Sequence, residues 1–298
     1  MQRIAVIGGG WYGCHIAAEL IRKGYEVTLY EQAGSLFSGS SGMNQFRLHL
    51  GFHYPRSSVT RHQVSDSHSR FLKKYRHLIY PVTKNVYGIA NTDSLLDFAT
   101  YKTVMTHDVG DISFEEIDPS SIGLTNLEGA LVCSEGALLV EEPKRFFTRL
   151  LGEVVCLNHR VNEVRTMADV FGRPVGVSVD GAPFDWCIDC TYGQLTKCSG
   201  DIFYEVCLTL VYQRRLKNVN HLNHAITIMD GPFVSLFPYL EDYADATGDL
   251  KRLHTLTHVA HTHLARFENF SEAKEYADGF SEHDALDAKP LFEEEVVD

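Results

Sequence analysis

One segment near the amino terminus, Gly8 to Glu31, constrains this chain more than any other. It reads GGGWYGCHIAAELIRKGYEVTLYE and comes directly after the apolar run Ile4-Ala5-Val6-Ile7. Gly8, Gly10 and Gly13 satisfy G-x-G-x-x-G. In that pattern the first glycine makes a tight turn, the second lets the backbone approach a pyrophosphate, and the third lets the helix pack close to its strand. Ala17, Leu20 and Ile21 recur at helical spacing, Gly24 stands where a left-handed cap ends a helix, and Val27 and Leu29 alternate into a second strand. Glu31 lies 18 positions beyond Gly13, where an acid accepts hydrogen bonds from ribose hydroxyls and disfavours a 2′-phosphate. The segment therefore predicts a strand–helix–strand unit that holds a dinucleotide. The first helical turn offers its open amides and positive dipole end to the phosphates. The fingerprint by itself admits either NAD or FAD.

Composition narrows the classes. The chain has 298 residues with 44% hydrophobic content, ample for a large core. The net charge is −12 and no basic run interrupts the acidic balance, which argues against a nucleic-acid partner. The amino-terminal apolar run stops at Gly8, too short for a signal peptide, and no run reaches membrane-spanning length. Both point to a cytoplasmic enzyme with no membrane partner. Seven cysteines, an odd number scattered along the chain, read as reduced thiols. The C-x-x-C of Cys187 and Cys190 falls in a predicted buried strand and reads as structural. His254, His258, His261 and His263 cluster in HTLTHVAHTH, but on a strand they lie too far apart to share one ion and no acid or thiol pattern completes them. No metal is expected.

Element order excludes a simple doubly wound sheet. After the first unit comes a Gly/Ser-rich loop, a helix predicted over 57–79, a strand over 81–90 and a helix over 94–107 capped by Ser94. Short strands fill 113–140, a helix runs over 141–151 with Pro143 in its first turn, and further strands extend to residue 259. The predicted fold class is α/β plus α+β, a Rossmann-like domain interleaved with a β-rich one. Residues 1–80 and 141–200 are assigned to the dinucleotide domain, 81–140 and 201–270 to a substrate or cap domain, and 271–298 to an acidic, solvated tail.

Three separated motifs give the chain a resemblance to a known family. They are the fingerprint Gly8–Glu31, the stretch Ser40-Ser41-Gly42-Met43-Asn44-Gln45-Phe46-Arg47-Leu48-His49-Leu50-Gly51-Phe52-His53-Tyr54-Pro55, and the segment Arg160–Gly193 ending in Ile188-Asp189-Cys190-Thr191-Tyr192-Gly193. Together they resemble the D-amino-acid oxidase superfamily of FAD-dependent oxidoreductases, which includes glycine oxidase, sarcosine oxidase and glycerol-3-phosphate dehydrogenase. The match is closest to a branch carrying R-L-H-L-G-F-H-Y-P-R. The C-terminal return segment that normally closes the nucleotide domain of this family is not recognised after residue 200.

The resemblance implies FAD as cofactor and a small-molecule substrate. It implies that Gly8, Gly10, Trp11, Tyr12 and Gly13 hold the pyrophosphate through backbone amides. Glu31, with the adjacent Gln32, would take the adenosine ribose, Ser40 and Ser41 the phosphate or ribityl oxygens, and Val161 the adenine through its backbone. Thr191, Tyr192 and Gly193 would flank the dinucleotide, and Asn44, Gln45, Arg47 and His49 the flavin ring. Arg47, His49, His53 and Tyr54 are the implied catalytic set: Arg47 or a histidine steadies charge on reduced flavin, and His49 or His53 accepts a substrate proton near neutral pH. The implied activity is hydride removal from a C–H bond beside an amine or hydroxyl of an amino acid, amine or sugar derivative, delivered to flavin N5. Tyr87, Tyr204, Tyr212, Asp230, Phe233, Phe237 and Tyr239 are candidates for the substrate side. Two alternatives stay open: a non-redox flavin sugar mutase, and a shortened, non-catalytic subunit with the FAD fold.

Overall fold

The computed structural model describes residues 1–108, 112–195, 202–213, 224–241 and 253–293; Cys198 and the terminal acidic run 294–298 lie outside them. The chain forms two compact units, one from Met1–Asn44 with Glu141–Ile202, the other from Gln45–Val140 with Phe203–Asp298.

The first unit is built on a parallel sheet in the order Trp186–Asp189, Arg3–Ile7, Glu26–Tyr30, Val155–Cys156. Its central strand is buried on both faces, as parallel strands are. Helix Trp11–Arg22 crosses from strand Arg3–Ile7 to strand Glu26–Tyr30 and buries Gly13, Cys14 and Ala17. Helix Glu142–Leu151 buries Pro143, Phe147 and Leu151. An antiparallel ribbon of Val164–Ala168, Pro174–Val179 and Ala182–Phe184 adds Val179 and Phe184 to a core with Ala5, Ile7 and Val161.

The second unit centres on a mixed sheet. Its order is Leu210–Gln213, Leu253–His258, Val234–Tyr239, His224–Met229, Ile79–Ala90, Leu127–Leu138, Arg47–Leu48. His224–Met229 runs parallel to Ile79–Ala90 and the other pairings are antiparallel. The longest pairing, Ile79–Ala90 with Leu127–Leu138, carries a register shift between Val82 and Asn85. Three residues advance on one strand while two advance on the other, which is a β-bulge. The extra residue changes the alternation, so that Asn85 and Tyr87 succeed Val82 on one face where Lys84 and Val86 would otherwise do so.

Three expectations are corrected. The first segment of the first unit ends at Asn44 instead of residue 80, because strand Arg47–Leu48 pairs with Leu127–Leu138 and draws the chain after it into the second sheet. Ser94 does not cap the helix after it: its hydroxyl donates to the Met229 carbonyl at 3.0 Å. The helix begins at Phe98, and Asp97 accepts from the Thr100 amide at 2.7 Å. The segment expected to be a solvated tail folds into helices Phe270–Gly279 and Glu282–Glu293. Its acidic composition hides two anchors, Ala273 and Phe292, both buried. Phe292 is fully enclosed and clusters with Val234 and Leu256 of the sheet.

A fully buried phenyl ring leaves a large cavity when truncated. Phe292→Ala is therefore expected to cost about 3–5 kcal/mol in thermal or urea unfolding; an unchanged midpoint would show that the last helix adds nothing to the core.

Candidate functional site

Two groups of sequence-predicted residues are brought together, each within its own unit. In the first unit, Ile7 is paired with both Tyr30 and Asp189, so three parallel strands end in line. Their continuations are the glycine turn, Glu31, and the turn Thr191–Gly193. All three therefore lie at the carboxyl edge of the sheet, the usual ligand position in such folds. Gly8 adopts φ +107°, and a Cβ there would lie 2.6 Å from the Cys190 carbonyl oxygen. A Cβ on Gly13 would lie 1.8 Å from the Gly8 carbonyl oxygen. No larger residue fits either position, so the close helix–strand approach is written into the two glycines. A Cβ on Gly10 would fall 2.8 Å from Ser41 Oγ.

The Glu31 carboxylate fastens this edge. Oε2 accepts from the Gly9 amide at 2.7 Å and Oε1 from the Ala33 amide at 2.8 Å. A carboxylate has about four acceptor positions, so ribose hydroxyls still find lone pairs on the same group. Ser41 Oγ accepts from the Trp11 amide at 3.0 Å, bracing the helix start from another loop. The Trp11 ring turns inward, edge-on to Phe37 and Phe147 at 5.3 and 5.6 Å, whereas Tyr12 is 79% exposed. Ser40 and Gln32 are exposed. Asn44, expected at the flavin ring, donates to the carbonyls of Ser40 and Ser41 at 2.9 and 3.2 Å and braces that loop. Thr191 donates its amide and its hydroxyl to Asp189 Oδ1 at 2.8 and 2.6 Å. Tyr192 and Gly193 come next, both at positive φ. The Val161 side chain is buried in the core. Burial also pushes the Cys14, Cys187 and Cys190 thiols up, which keeps them protonated and inert.

The glycine cradle, the helix start beside it and the acid at the end of the second strand fit an adenine dinucleotide. No acidic side chain occupies the first helical turn, so nothing there repels a diphosphate.

In the second unit the R-L-H-L-G-F-H-Y-P-R stretch wraps a buried polar centre. The Arg47 side chain is 4% exposed and lies between the rings of Tyr87 and Phe237, 5.4 and 4.7 Å from their centroids. Its Nε approaches Glu135 Oε2 at 3.4 Å, Nη1 donates to Ser235 Oγ at 3.0 Å, and Nη2 donates to Asn85 Oδ1 and Tyr87 Oη at 3.3 and 3.0 Å. Glu135 has a fully buried side chain. Its Oε1 accepts from the Leu50 amide at 2.9 Å and from Tyr87 Oη at 2.8 Å, and its Oε2 from Asn85 Nδ2 and Arg47. Burial pushes the Glu135 carboxyl above its ordinary range, with Arg47 foremost among the groups pulling it back. Tyr87 is held far above the usual phenol value by burial and stays protonated.

Sequence reasoning missed Glu135, Asn85 and Ser235. The available signal was an acid at position 135, well inside the strand LEGALVCSEGAL and just beyond the apolar run Ala130–Cys133, whereas Glu128 stands near its start; an acid so placed in a core demands a partner.

His53 Nδ1 lies 3.2 Å from Tyr87 Oη, and its ring meets His49 edge-on at 5.1 Å. Tyr54 sits beside both, 5.7 Å from His49 and 6.2 Å from His53. Arg61 secures the loop by donating to the carbonyls of Tyr54 and Pro55. His49 is pushed down to about 4, first by burial and then by Arg47. His53 is also driven well below its ordinary value by burial, Arg47 and His49. Both rings are therefore neutral near neutral pH, the form in which an imidazole nitrogen can accept a hydrogen. Asp230, a candidate for substrate binding, takes Arg56 Nε at 3.0 and 3.2 Å instead. Gln45 donates to Thr257 at 3.2 Å.

The geometry agrees with what the chain is related to. Residues 3–199 match the model of the FAD dependent oxidoreductase family. The chain belongs to that family. FAD is its cofactor, and the protein is an FAD-dependent oxidoreductase. It is 35% identical over 294 residues, 99% of this chain and 74% of the relative, to the FAD-dependent monooxygenase FPY4 of Fusarium mangiferae. Its fold is similar to NikD, an amino acid oxidase, with a TM-score of 0.69 at 14% identity, covering 99% of this chain and 78% of that one. It is also similar to glycine oxidase from Geobacillus kaustophilus, with a TM-score of 0.65 at 13% identity, covering 87% and 72%.

Among the described residues of this oxidoreductase, no group of three or more His, Cys, Asp or Glu side chains is arranged to hold a metal. His258, on the strand that also carries His254, accepts from the Ala260 amide at 3.1 Å and meets the His261 ring, tilted, at 4.4 Å. No helix among those residues is long and apolar enough to cross a membrane.

The depressed His49 value sets a pH dependence. Unfolded, the ring takes a proton as pH falls through 6.5; folded, it resists until about 4. The unfolded state therefore binds more protons in this window, and acidification weakens the fold. His49 alone accounts for ~3 kcal/mol lost progressively over that range. His49→Gln is expected to flatten the fall in unfolding free energy between pH 7 and pH 4.5; the same slope in the variant would refute the assignment.

Proposed function

We propose that this oxidoreductase oxidises a C–H bond beside an amine or hydroxyl of a small polar metabolite, an amino acid, amine or sugar derivative. In this reading the first unit binds FAD. Gly8, Gly10, Trp11, Tyr12 and Gly13 face the pyrophosphate, Glu31 and Gln32 the ribose, Ser40 and Ser41 the adjoining oxygens, and Val161 and Thr191–Gly193 the second side. FAD, when bound, supplies a two-electron acceptor for the hydride. The second unit supplies the substrate side through His49, His53 and Tyr54. Arg47 acts from behind them.

The observation that carries the reading is the placement of His49 and His53, ring centroids 5.1 Å apart, beside the enclosed Arg47–Glu135 ion pair, with burial and Arg47 lowering the proton affinity of both rings. A substrate oxidised beside nitrogen or oxygen brings an N–H or O–H whose hydrogen needs an acceptor, and a neutral imidazole is one. Phe52, fully buried and stacked on Tyr87 at 5.2 Å, keeps water from the core side of Tyr87, which strengthens its polar contacts. Alignment and desolvation, with no strong base, suit hydride removal.

A second reading has support from the name of the Fusarium relative, a monooxygenase at 35% identity: an oxygen atom is delivered into the product in place of simple dehydrogenation.

The purified protein is expected to show flavin absorption and to lose it when mixed anaerobically with a suitable amine or alcohol. In air, isotopically labelled dioxygen should then appear as hydrogen peroxide, while label in the organic product would select monooxygenation. Coloured protein bleached only by dithionite would favour the non-redox mutase. Colourless protein whose melting point ignores added FAD would favour a non-catalytic subunit.

A further inference from the structure

The buried polar centre fixes the direction of a hydrogen-bond chain. Glu135 faces four donors: the Leu50 amide and Tyr87 on Oε1, Asn85 Nδ2 and Arg47 Nε on Oε2. That fills the acceptor capacity of an ionised carboxylate. The Asn85 orientation is set by the same network, since its Oδ1 accepts from Arg47 while its Nδ2 donates to Glu135. Three of the four donors cannot accept a proton in return, and Arg47 alongside favours the carboxylate. The Tyr87 hydrogen therefore points at Glu135. Tyr87 Oη then has only lone pairs left: one accepts from Arg47 Nη2 at 3.0 Å, and the other faces His53 Nδ1 at 3.2 Å. For that last contact to be a hydrogen bond, Nδ1 must carry the proton.

We propose that the chain Glu135–Tyr87–His53 locks His53 as the Nδ1–H tautomer, so that its Nε2 stands as a hydrogen-bond acceptor for the N–H or O–H of the substrate. The tautomer half stands on the geometry alone; the substrate half rests on the proposed function. Glu135, Arg47 and Tyr87 are positioning residues. His53 is the group that meets substrate. The selected substrate class is narrowed to compounds that offer a donor hydrogen at the oxidised carbon's heteroatom. The opposite polarity, a protonated Glu135 donating to Tyr87 and Tyr87 donating to a bare Nδ1, would present Nε2–H and select an acceptor such as a carbonyl oxygen.

The test is nitrogen-15 NMR of the histidine rings in the FAD-loaded protein, with the His53 signals assigned by their loss in His53→Asn. The expected result at pH 7 is a protonated, pyrrole-type Nδ1 and an unprotonated, pyridine-type Nε2, and mixed tautomers in Tyr87→Phe. A protonated Nε2 in the natural protein would overturn the proposal, as would an unchanged Nδ1–H tautomer in Tyr87→Phe, which would show that the relay does not set it. The kinetic arm uses whichever amine or alcohol bleaches the flavin. His53→Asn keeps an amide nitrogen near the Nδ1 position and removes the acceptor at Nε2; kcat/KM should fall ~100-fold or more. His53→Gln, which returns an amide oxygen near the Nε2 position, should recover part of that loss. Equal activity in all three proteins would overturn the substrate half. If no amine or alcohol bleaches the flavin, the function reading fails while the NMR result still decides the tautomer.

Discussion

The second unit is organised around one interaction, the enclosed ion pair of Arg47 and Glu135. Neither side chain has appreciable access to water. Burying both charges carries a desolvation cost that their mutual attraction repays only when the remaining donors and acceptors are also matched. Here they are matched: Glu135 takes four donors, and Arg47 lies between two aromatic rings and donates to Ser235, Asn85 and Tyr87. The pair links the short strand Arg47–Leu48 to Ile79–Ala90, Leu127–Leu138 and Val234–Tyr239. It thereby sets where His49 and His53 stand.

The same pair explains the electrostatic character of those histidines. Burial removes water from both rings, and the Arg47 charge opposes any further positive charge nearby. Neutral imidazoles are suited to accepting or donating single hydrogen bonds in chosen directions. The bulge at Val82–Asn85 belongs to this arrangement. Without the extra residue, Lys84 would succeed Val82 inward, and a second buried cation would face Arg47 with no acid to balance it.

Much of the first unit is legible in the sequence because its constraints are local. A glycine that must sit at φ +107° and another whose Cβ would overlap a carbonyl oxygen leave their mark at fixed spacing. Glu31 is found the same way, at the end of the second strand. The second unit is less legible because its constraints are long-range. Arg47 and Glu135 are 88 positions apart, and Arg47 and Ser235 are 188 apart; no spacing rule joins them. The motif Arg47–Arg56 stands out in the chain, and the resemblance implies its first arginine as a partner for flavin charge, but nothing local in the motif announces the contact of its guanidinium with Glu135. The carboxyl-terminal helices are hidden because acidic composition outweighs two isolated apolar anchors.

The central claim is that Arg47 and Glu135 function as one unit, each tolerable in the core only with the other. A double-mutant cycle in urea unfolding tests it most directly, using Arg47→Met and Glu135→Leu. Each single variant leaves an uncompensated buried charge and should lose about 3–5 kcal/mol. The double variant removes both charges and should lose far less than the sum. Additive losses would contradict the account, because they would mean that the two side chains contribute independently.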